Sequence, residues 1–254
     1  MSPQLLNNFG VVILAAGRGT RLGCTDMPKV MKEIGGRPIV DYLVETLENI
    51  GFSPDKICVV VGFKGEKVRD FFGRRVTCVD QGELRGTAHA AFVGMQTLPK
   101  EVKNVLVMNG DDGAFYQSKT LADLMQSHLV NNDLLTLLSA EADPSFGGGR
   151  IVRHTDGQVE VIEKEYLTEE QKQIREISTN TFCFERTWYE KIFPVMPQLR
   201  KLGEWGLPTA LAMARGEGVK YSVIKLDDSR EWFGINSPAE LELADKLKRN
   251  NHHL

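Results

Sequence analysis

The sequence predicts an α/β fold with a mixed, mainly parallel sheet. Three observations carry that expectation. Apolar runs of strand length alternate with helical patterns through the first half, which is the rhythm of βαβ units. The first run, Val11-Val12-Ile13-Leu14, is apolar without alternation, as a strand buried on both faces must be. It then breaks into Ala15-Ala16-Gly17-Arg18-Gly19. Such a turn leaves the carboxyl end of a strand, where open α/β sheets put their ligands.

The elements follow in order. Residues 38–50 carry helical spacing (Ile39, Tyr42, Leu43, Leu47), with Pro38 suited to a first turn. Residues 56–61 read as a buried strand and residues 68–72 as the end of a short helix. Residues 76–79 and 104–108 are further strands, on either side of an Ala-rich helix over 87–95. Ser118 suits an N-cap for a helix through Leu121, Leu124 and Met125, and residues 134–138 are another strand. The rhythm changes after Asp143. Gly147-Gly148-Gly149 reads as a flexible joint. Residues 150–153 and 158–162 are short strands separated by an Asp156-Gly157 hairpin signal. A strand over 182–184, a helix over 207–215, a strand over 219–226 and an amphipathic helix over 238–248 complete the chain. With no internal repeat and no low-complexity linker, residues 1–254 read as a single domain with a β-rich subregion at 144–184.

Composition narrows the function classes. A net charge of -3 gives no basic surface for nucleic acid, so any nucleotide site must be local. No apolar run approaches the ~20 residues of a membrane helix. The start, MSPQLLNNFG, has neither the basic region nor the apolar core of a signal peptide. Cys24, Cys58, Cys78 and Cys183 are scattered without a Cys-x-x-Cys pair, which argues against zinc and suits buried free thiols in a reducing cytoplasm.

Four loops carry candidate chemistry. The first, residues 15–29, has small residues for close approach and three cations, Arg18, Arg21 and Lys29. Convergent amides and cations suit a polyphosphate. A P-loop pattern is absent, and Leu22 stands where a dinucleotide fingerprint needs its third glycine. In the second loop, QGELRGTAHA, Gln81 offers a paired donor and acceptor for a base edge, and Gly86 and Thr87 open a helix. The same residues also fit a glycine turn with a Thr N-cap. In the third, Asn109-Gly110-Asp111-Asp112 ends a buried strand in two carboxylates, equally suited to Mg²⁺ or to solvation. In the fourth, Asn236 before Ser237-Pro238 fits a helix cap or a carbonyl ligand to a metal. Glu163-Lys164 ends a hairpin strand, and a salt-bridged exposed face is its ordinary explanation. His89, among alanines, reads as a packed histidine, and no Ser-His-Asp or Cys-His arrangement can be assembled.

Taken in order, LAAGRGTR…PKV, QGELRGTAHA, NGDD, GGGRIVR, VIEKE, QKQIREIST and GIN resemble the sugar-phosphate nucleotidylyltransferase family. They are most similar to the uridylyltransferase domain of bifunctional N-acetylglucosamine-1-phosphate uridylyltransferase/glucosamine-1-phosphate acetyltransferases, over residues 10–245. The resemblance implies a GT-A-like (Rossmann-like) domain with a small β-rich sugar-side subregion. It implies Mg²⁺-dependent transfer of a nucleotidyl group, uridylyl by resemblance, from NTP to a sugar 1-phosphate, with pyrophosphate released. The product would be UDP-N-acetylglucosamine or UDP-glucose. Leu14, Ala15, Gly17 and Gly19 would contact the nucleotide, with Gln81, Gly86 and Thr87 around the uracil. Arg21 and Lys29 would neutralise phosphates beside the catalytic Asp111, and Asp111 and Asn236 would hold Mg²⁺. Gly149 and Glu163 would contact the sugar.

Departures fall on the metal and sugar sides. The family's Gly-Asp-Val-Pro is Gly110-Asp111-Asp112-Gly113 here, and its Glu-Ile-Asn-Thr-Gly is Glu176-Ile177-Ser178-Thr179-Asn180. The sugar-side amide therefore becomes Ser178, or is displaced to Asn180. Its Glu-Tyr-Tyr-Ile-Thr-Asp segment is Glu204-Trp205-Gly206-Leu207-Pro208-Thr209. No hexapeptide repeats of a β-helix follow, so acetyltransferase activity is not expected. Two alternatives stay open: a thymidylyl-, cytidylyl- or guanylyltransferase for another phosphorylated acceptor, and a non-catalytic regulatory subunit that binds nucleotide sugar.

Overall fold

The apolar run at the start of the chain forms the centre of the sheet. A computed structural model describes residues 3–199 and 203–251. Helix α1 (Pro3–Asn8) leads into β1 (Phe9–Ala15), every residue of which is buried. A small hairpin, β2 (Glu33–Ile34) and β3 (Arg37–Pro38), precedes α2 (Ile39–Ile50). Then come β4 (Ile57–Val61), α3 (Gly65–Phe72), β5 (Thr77–Asp80), α4 (Thr87–Met95) and β6 (Asn104–Asn109). Next are α5 (Ser118–Asn131), β7 (Leu135–Glu141), the hairpin β8 (Arg150–Arg153) and β9 (Val159–Ile162), and the long β10 (Glu176–Glu185). Helices α6 (Arg186–Ile192) and α7 (Pro208–Glu217), strand β11 (Tyr221–Lys225) and helix α8 (Pro238–Asn251) follow.

The main sheet runs β11-β7-β10-β6-β1-β4-β5. β1 pairs in parallel with both β4 and β6, β4 with β5, and β7 with β11. β10 lies antiparallel between β6 and β7 and makes the sheet mixed. Alternate residues of β1 serve two cores. Val11 and Ile13 pack with α2, α3 and α5, whereas Val12 and Leu14 pack with α4, α6 and α7. That is the period of a strand buried on both faces. Gly94 lets α4 sit close on the sheet: a Cβ there would lie 2.5 Å from Val12 Cγ1 and 2.8 Å from Val60 Cγ2.

Three local expectations need correction. Ser118 is the first residue of α5 and makes no cap; its hydroxyl donates to the Thr46 carbonyl at 3.2 Å. The strand expected at 182–184 starts at Glu176, because its polar half is satisfied sideways: Ser139 Oγ donates to Glu176 at 2.6 Å and Thr179 Oγ1 to the Leu138 carbonyl at 2.6 Å. The triple glycine is a tied loop. Arg150, 2% exposed, donates to the carbonyls of Gly148, Pro144 and Phe146 at 2.7, 2.9 and 2.7 Å. The β8–β9 hairpin joins the main sheet through Ile177 and Arg150, so the β-rich subregion is an outgrowth of β10.

Candidate active site

Parallel pairing brings the carboxyl ends of β4, β1 and β6 level with one another. Leu14 pairs with Asn109 and with Val60, and the chain leaves all three strands on the same side. Backbone bonds fix the exits: Gly110 N–H donates to the Leu14 carbonyl at 2.9 Å, and Gln81 N–H to the Val61 carbonyl at 2.8 Å. Beyond these ends lies a cleft of about 980 Å³. All the residues expected at the site line it: Leu14, Ala15, Gly17, Gly19, Arg21, Lys29, Gln81, Gly86, Thr87, Asp111, Gly149, Glu163, Ser178, Asn180 and Asn236.

The first loop curls through a turn at Thr20–Leu22 between Gly19 and Gly23, both at φ 66. Gly19 is required there, since a Cβ would lie 2.7 Å from Lys29 Cβ. A Cβ on Gly17 would meet nothing within 4 Å, so that face is open to a ligand. Arg18 also lines the cleft, with its guanidinium 6.0 Å from the Phe63 ring centre.

At the centre of the cleft, one ammonium serves two oxygens. Lys29 Nζ forms an ion pair with Asp111 Oδ2 and donates to Asn236 Oδ1 at 3.1 Å. Arg21 Nη2 donates to the same Asn236 oxygen at 2.9 Å. Burial pulls the Lys29 ammonium down to about 8; Asp112 opposes that shift and Arg21 adds to it. Asp111 and Asn236 are brought together by a short backbone zipper, in which Phe233 N–H donates to the Asp112 carbonyl and Ile235 N–H to the Asp111 carbonyl, each at 3.3 Å. Asn236 is not a helix cap. Ser237 Oγ accepts from Glu240 N–H at 3.3 Å and donates to the Glu240 carboxylate at 2.9 Å, which in turn accepts Asn236 N–H at 2.8 Å. This capping box leaves the Asn236 side chain to the cleft. The Ser-x-x-Glu spacing was visible in the sequence.

Asp112 is not a solvated acid. It is buried, and burial raises its carboxyl to about 7, against the Asn109 amide, which donates to it at 3.0 Å.

At one end of the cleft, Thr87 starts α4 but does not cap it; its hydroxyl accepts Leu207 N–H at 3.0 Å. Gly86, at φ 104, is packed against backbone: a Cβ would lie 2.5 Å from the Trp205 carbonyl oxygen. The segment around Trp205 is bonded to this loop, with Trp205 N–H donating to Arg85 O at 2.9 Å and Ala88 N–H to Trp205 O at 2.8 Å. The contact of Gly86 with this segment had no signal in the sequence.

At the other end, the ion pair of the 163–165 segment is Lys164 with Glu165 at 3.8 Å, and Glu163 faces the cleft. Burial, helped by Glu165, raises the Glu163 carboxyl. A Cβ on Gly149 would lie 3.4 Å from Glu163 Oε2, so the two are neighbours. A bulge in β10 turns Asn180 to φ 54, and Ser178 and Asn180 both line the wall. Trp232 stacks edge-on to Phe146 at 5.2 Å and joins this wall to the Asp112 zipper. Arg150 and Trp232 went unread as site residues; neither stands in a recognisable motif.

The donor set suits one kind of metal. Among the described residues no group of three or more His, Cys, Asp or Glu could hold an ion. Asp111 and Asn236 offer two oxygens that already share one cation, the Lys29 ammonium. Two protein oxygens, with the remaining positions left to other oxygen donors, fit a hard divalent cation. No helix among the described residues is long and apolar enough to cross a membrane.

Comparison with known proteins bears on the family and the fold. The family model described as MobA-like NTP transferase domain matches residues 11–193. The bifunctional protein GlmU of Heliobacterium modesticaldum is 35% identical over 244 residues, which are 94% of this chain and 52% of that protein. GlmU of Exiguobacterium sibiricum is 33% identical over 254 residues, 98% of this chain and 55% of that protein. The chain therefore spans about half the length of the curated relatives it matches. Among solved structures, UDP-glucose pyrophosphorylase complexed with UDP-glucose superposes with a TM-score of 0.76 at 15% identity, covering 95% of this chain and 98% of that one. A Bacillus anthracis protein described as a glucose-1-phosphate thymidylyltransferase, in complex with a sucrose, gives 0.77 at 18% identity, covering 95% and 96%. These two likenesses establish the α/β, Rossmann-like fold.

Proposed function

We propose that this chain, which belongs to the MobA-like NTP transferase domain family, transfers a uridylyl group from UTP to a sugar 1-phosphate. The observation that carries the reading is the central ammonium of Lys29, shared by Asp111 and Asn236 and flanked by Arg21. In the strand order the ends of β1 and β6 lie between the Gln81–Thr87 loop, which follows β5, and the wall of Gly149 and Glu163 on the β10 side. A base end, a charged centre and a polyol end in one cleft are what a nucleoside triphosphate and a sugar phosphate need together.

The chemistry requires no general base. A phosphate monoester already carries nucleophilic oxygens at neutral pH. One of them attacks the α-phosphorus in line, the bond to the β-phosphate oxygen breaks, and pyrophosphate leaves with its electron pair. What the protein supplies is position and charge. The open face at Gly17 admits the triphosphate. Lys29 and Arg21 would turn from Asn236 to the phosphates and stabilise charge that builds in the transition state. Asp111 and Asn236 would hold Mg²⁺, which supplies neutralisation of the phosphate oxygens. Glu163, beside Gly149, would accept hydrogen bonds from sugar hydroxyls, with Ser178 and Asn180 on the same wall. N-acetylglucosamine 1-phosphate and glucose 1-phosphate are the acceptors to try first.

The test is pyrophosphate release from UTP, dTTP, CTP and GTP with each acceptor, with and without Mg²⁺. UTP with one of the two sugar phosphates, in the presence of Mg²⁺, is expected to give the fastest release. Asp111→Asn is expected to cut turnover by orders of magnitude while leaving the circular dichroism spectrum intact. Nucleotide binding without turnover on any acceptor would favour a non-catalytic role instead.

A further inference from the structure

Gln81 presents a single face to the cleft, and its contacts with Gly86 and His89 fix which one. Its Nε2 lies 3.0 Å from the Gly86 carbonyl oxygen. A carbonyl only accepts, so the nitrogen of the amide must be on that side. The same Nε2 lies 3.3 Å from His89 Nδ1. An amide nitrogen only donates, so Nδ1 must be the acceptor and the ring proton must sit on Nε2 of the histidine. Both amide hydrogens are then committed. Gln81 itself is 6% exposed and lines the cleft. Its Oε1 is the atom left for a ligand.

We propose that His89 is a specificity-determining positioning residue, which holds the Gln81 amide with its oxygen toward the base and so favours uracil or thymine over cytosine. The inference rests on the proposed reading of Gln81 as a contact to the base. Uracil and thymine carry a donor at N3–H, which the glutamine oxygen accepts. Cytosine carries a lone pair at N3, which the oxygen repels. The Gly86 carbonyl sets the direction, because a reversed oxygen would face it; His89 anchors the second amide hydrogen, and a reversed amide would also require its ring to move the proton from Nε2 to Nδ1. The surroundings keep the ring neutral, so that one of its nitrogens can accept. Burial lowers the pKa of His89, Arg85 lowers it further, and Glu83 opposes. The ring is steadied 6.1 Å from that of Phe193.

The experiment is calorimetric titration of UTP, dTTP and CTP into the full chain with Mg²⁺, which needs no acceptor. The quantity read is the ratio of CTP to UTP dissociation constants within each variant, which cancels any partial loss of folded protein. His89→Leu, and His89→Met as a second apolar replacement in case the first folds poorly, are expected to lower that ratio about fivefold, the value of one hydrogen bond. His89→Asn, whose Oδ1 falls near the place of Nδ1 and accepts, is expected to keep it. dTTP is expected to follow UTP throughout. Gln81→Ala separates the two levels of the argument. If it abolishes the preference while Leu and Met at position 89 leave the ratio unchanged, the role of His89 is overturned. The role is also overturned if Asn loses as much as Leu. If Gln81→Ala itself leaves the ratio unchanged, the base reading fails, and the inference with it.

Discussion

Replacing Lys29 by methionine removes one charge at the centre of the cleft and should have two effects of opposite sign. The stem is kept, so packing over Gly19 is preserved. In the ligand-free protein the ammonium occupies the two oxygens assigned to the metal, Asp111 Oδ2 and Asn236 Oδ1. It therefore competes with a divalent cation. The two side chains of the ion pair are 15% and 17% exposed. Unit charges about 4 Å apart interact by about 1 kcal/mol in water and about 4 kcal/mol at a partly buried site. Taking the lower part of that range for side chains still touched by solvent, Lys29→Met should bind Mn²⁺ about tenfold more tightly without nucleotide, equivalent to about 1.4 kcal/mol. Turnover should move the other way. Losing one preorganised donor to a developing oxyanion costs about 10²–10³-fold, or roughly 3–4 kcal/mol. Calorimetric Mn²⁺ titration and steady-state pyrophosphate release read the two effects separately. Near-normal turnover, or Mn²⁺ affinity that is unchanged or weaker, would refute the shared-oxygen geometry.

Three further outcomes are expected. Arg150→Met releases the carbonyls of the 144–148 loop, and should raise KM for the sugar phosphate about tenfold while leaving KM for UTP unchanged, with partial recovery in Arg150→Lys. His128, buried between Thr136 and Asn104, has its pKa lowered by burial from 6.5 to about 4, with Asp133 opposing. Its contribution to stability is therefore full above pH 6.5 and is lost as pH falls from 6.5 toward 4, by up to about 3 kcal/mol, or about 1.4 per pKa unit; urea midpoints across that window should fall in the native chain and flatten in His128→Gln. Gly94→Ala drives a methyl into Val12 and Val60, and should cost about 2 kcal/mol and lower Tm by roughly 4–8 °C in a thermal melt despite the better helix former.

The parts of the fold that were legible in the sequence are those whose burial is uniform. β1, β4 and β6 are read from apolar runs because both of their faces meet helices, and alternation disappears. The site loops were legible for a related reason: Gly17, Gln81, Gly110 and Asp111 follow the carboxyl ends of β1, β5 and β6 directly, so finding the strand locates the loop. β10 was read only in part, because Ser178, Thr179 and Asn180 are polar residues satisfied or bulged inside a sheet, and nothing local records that the strand slots antiparallel between β6 and β7. Arg150 was unreadable as a clamp because its partners are loop carbonyls, which any sequence supplies. The two readings of Asn236, cap or metal ligand, could have been narrowed, since Ser237 and Glu240 already had capping-box spacing.

The most direct test of nucleotidyl transfer runs the reaction backwards. With Mg²⁺, UDP-N-acetylglucosamine or UDP-glucose and radiolabelled pyrophosphate, the chain should move label into UTP with one of the two sugars. The exchange should vanish with chelator and fall about a hundredfold or more in Lys29→Met. Absence of labelled UTP with both nucleotide sugars, or exchange that survives both chelator and the loss of Lys29, would contradict the assignment of the cleft as a uridylyl-transfer site.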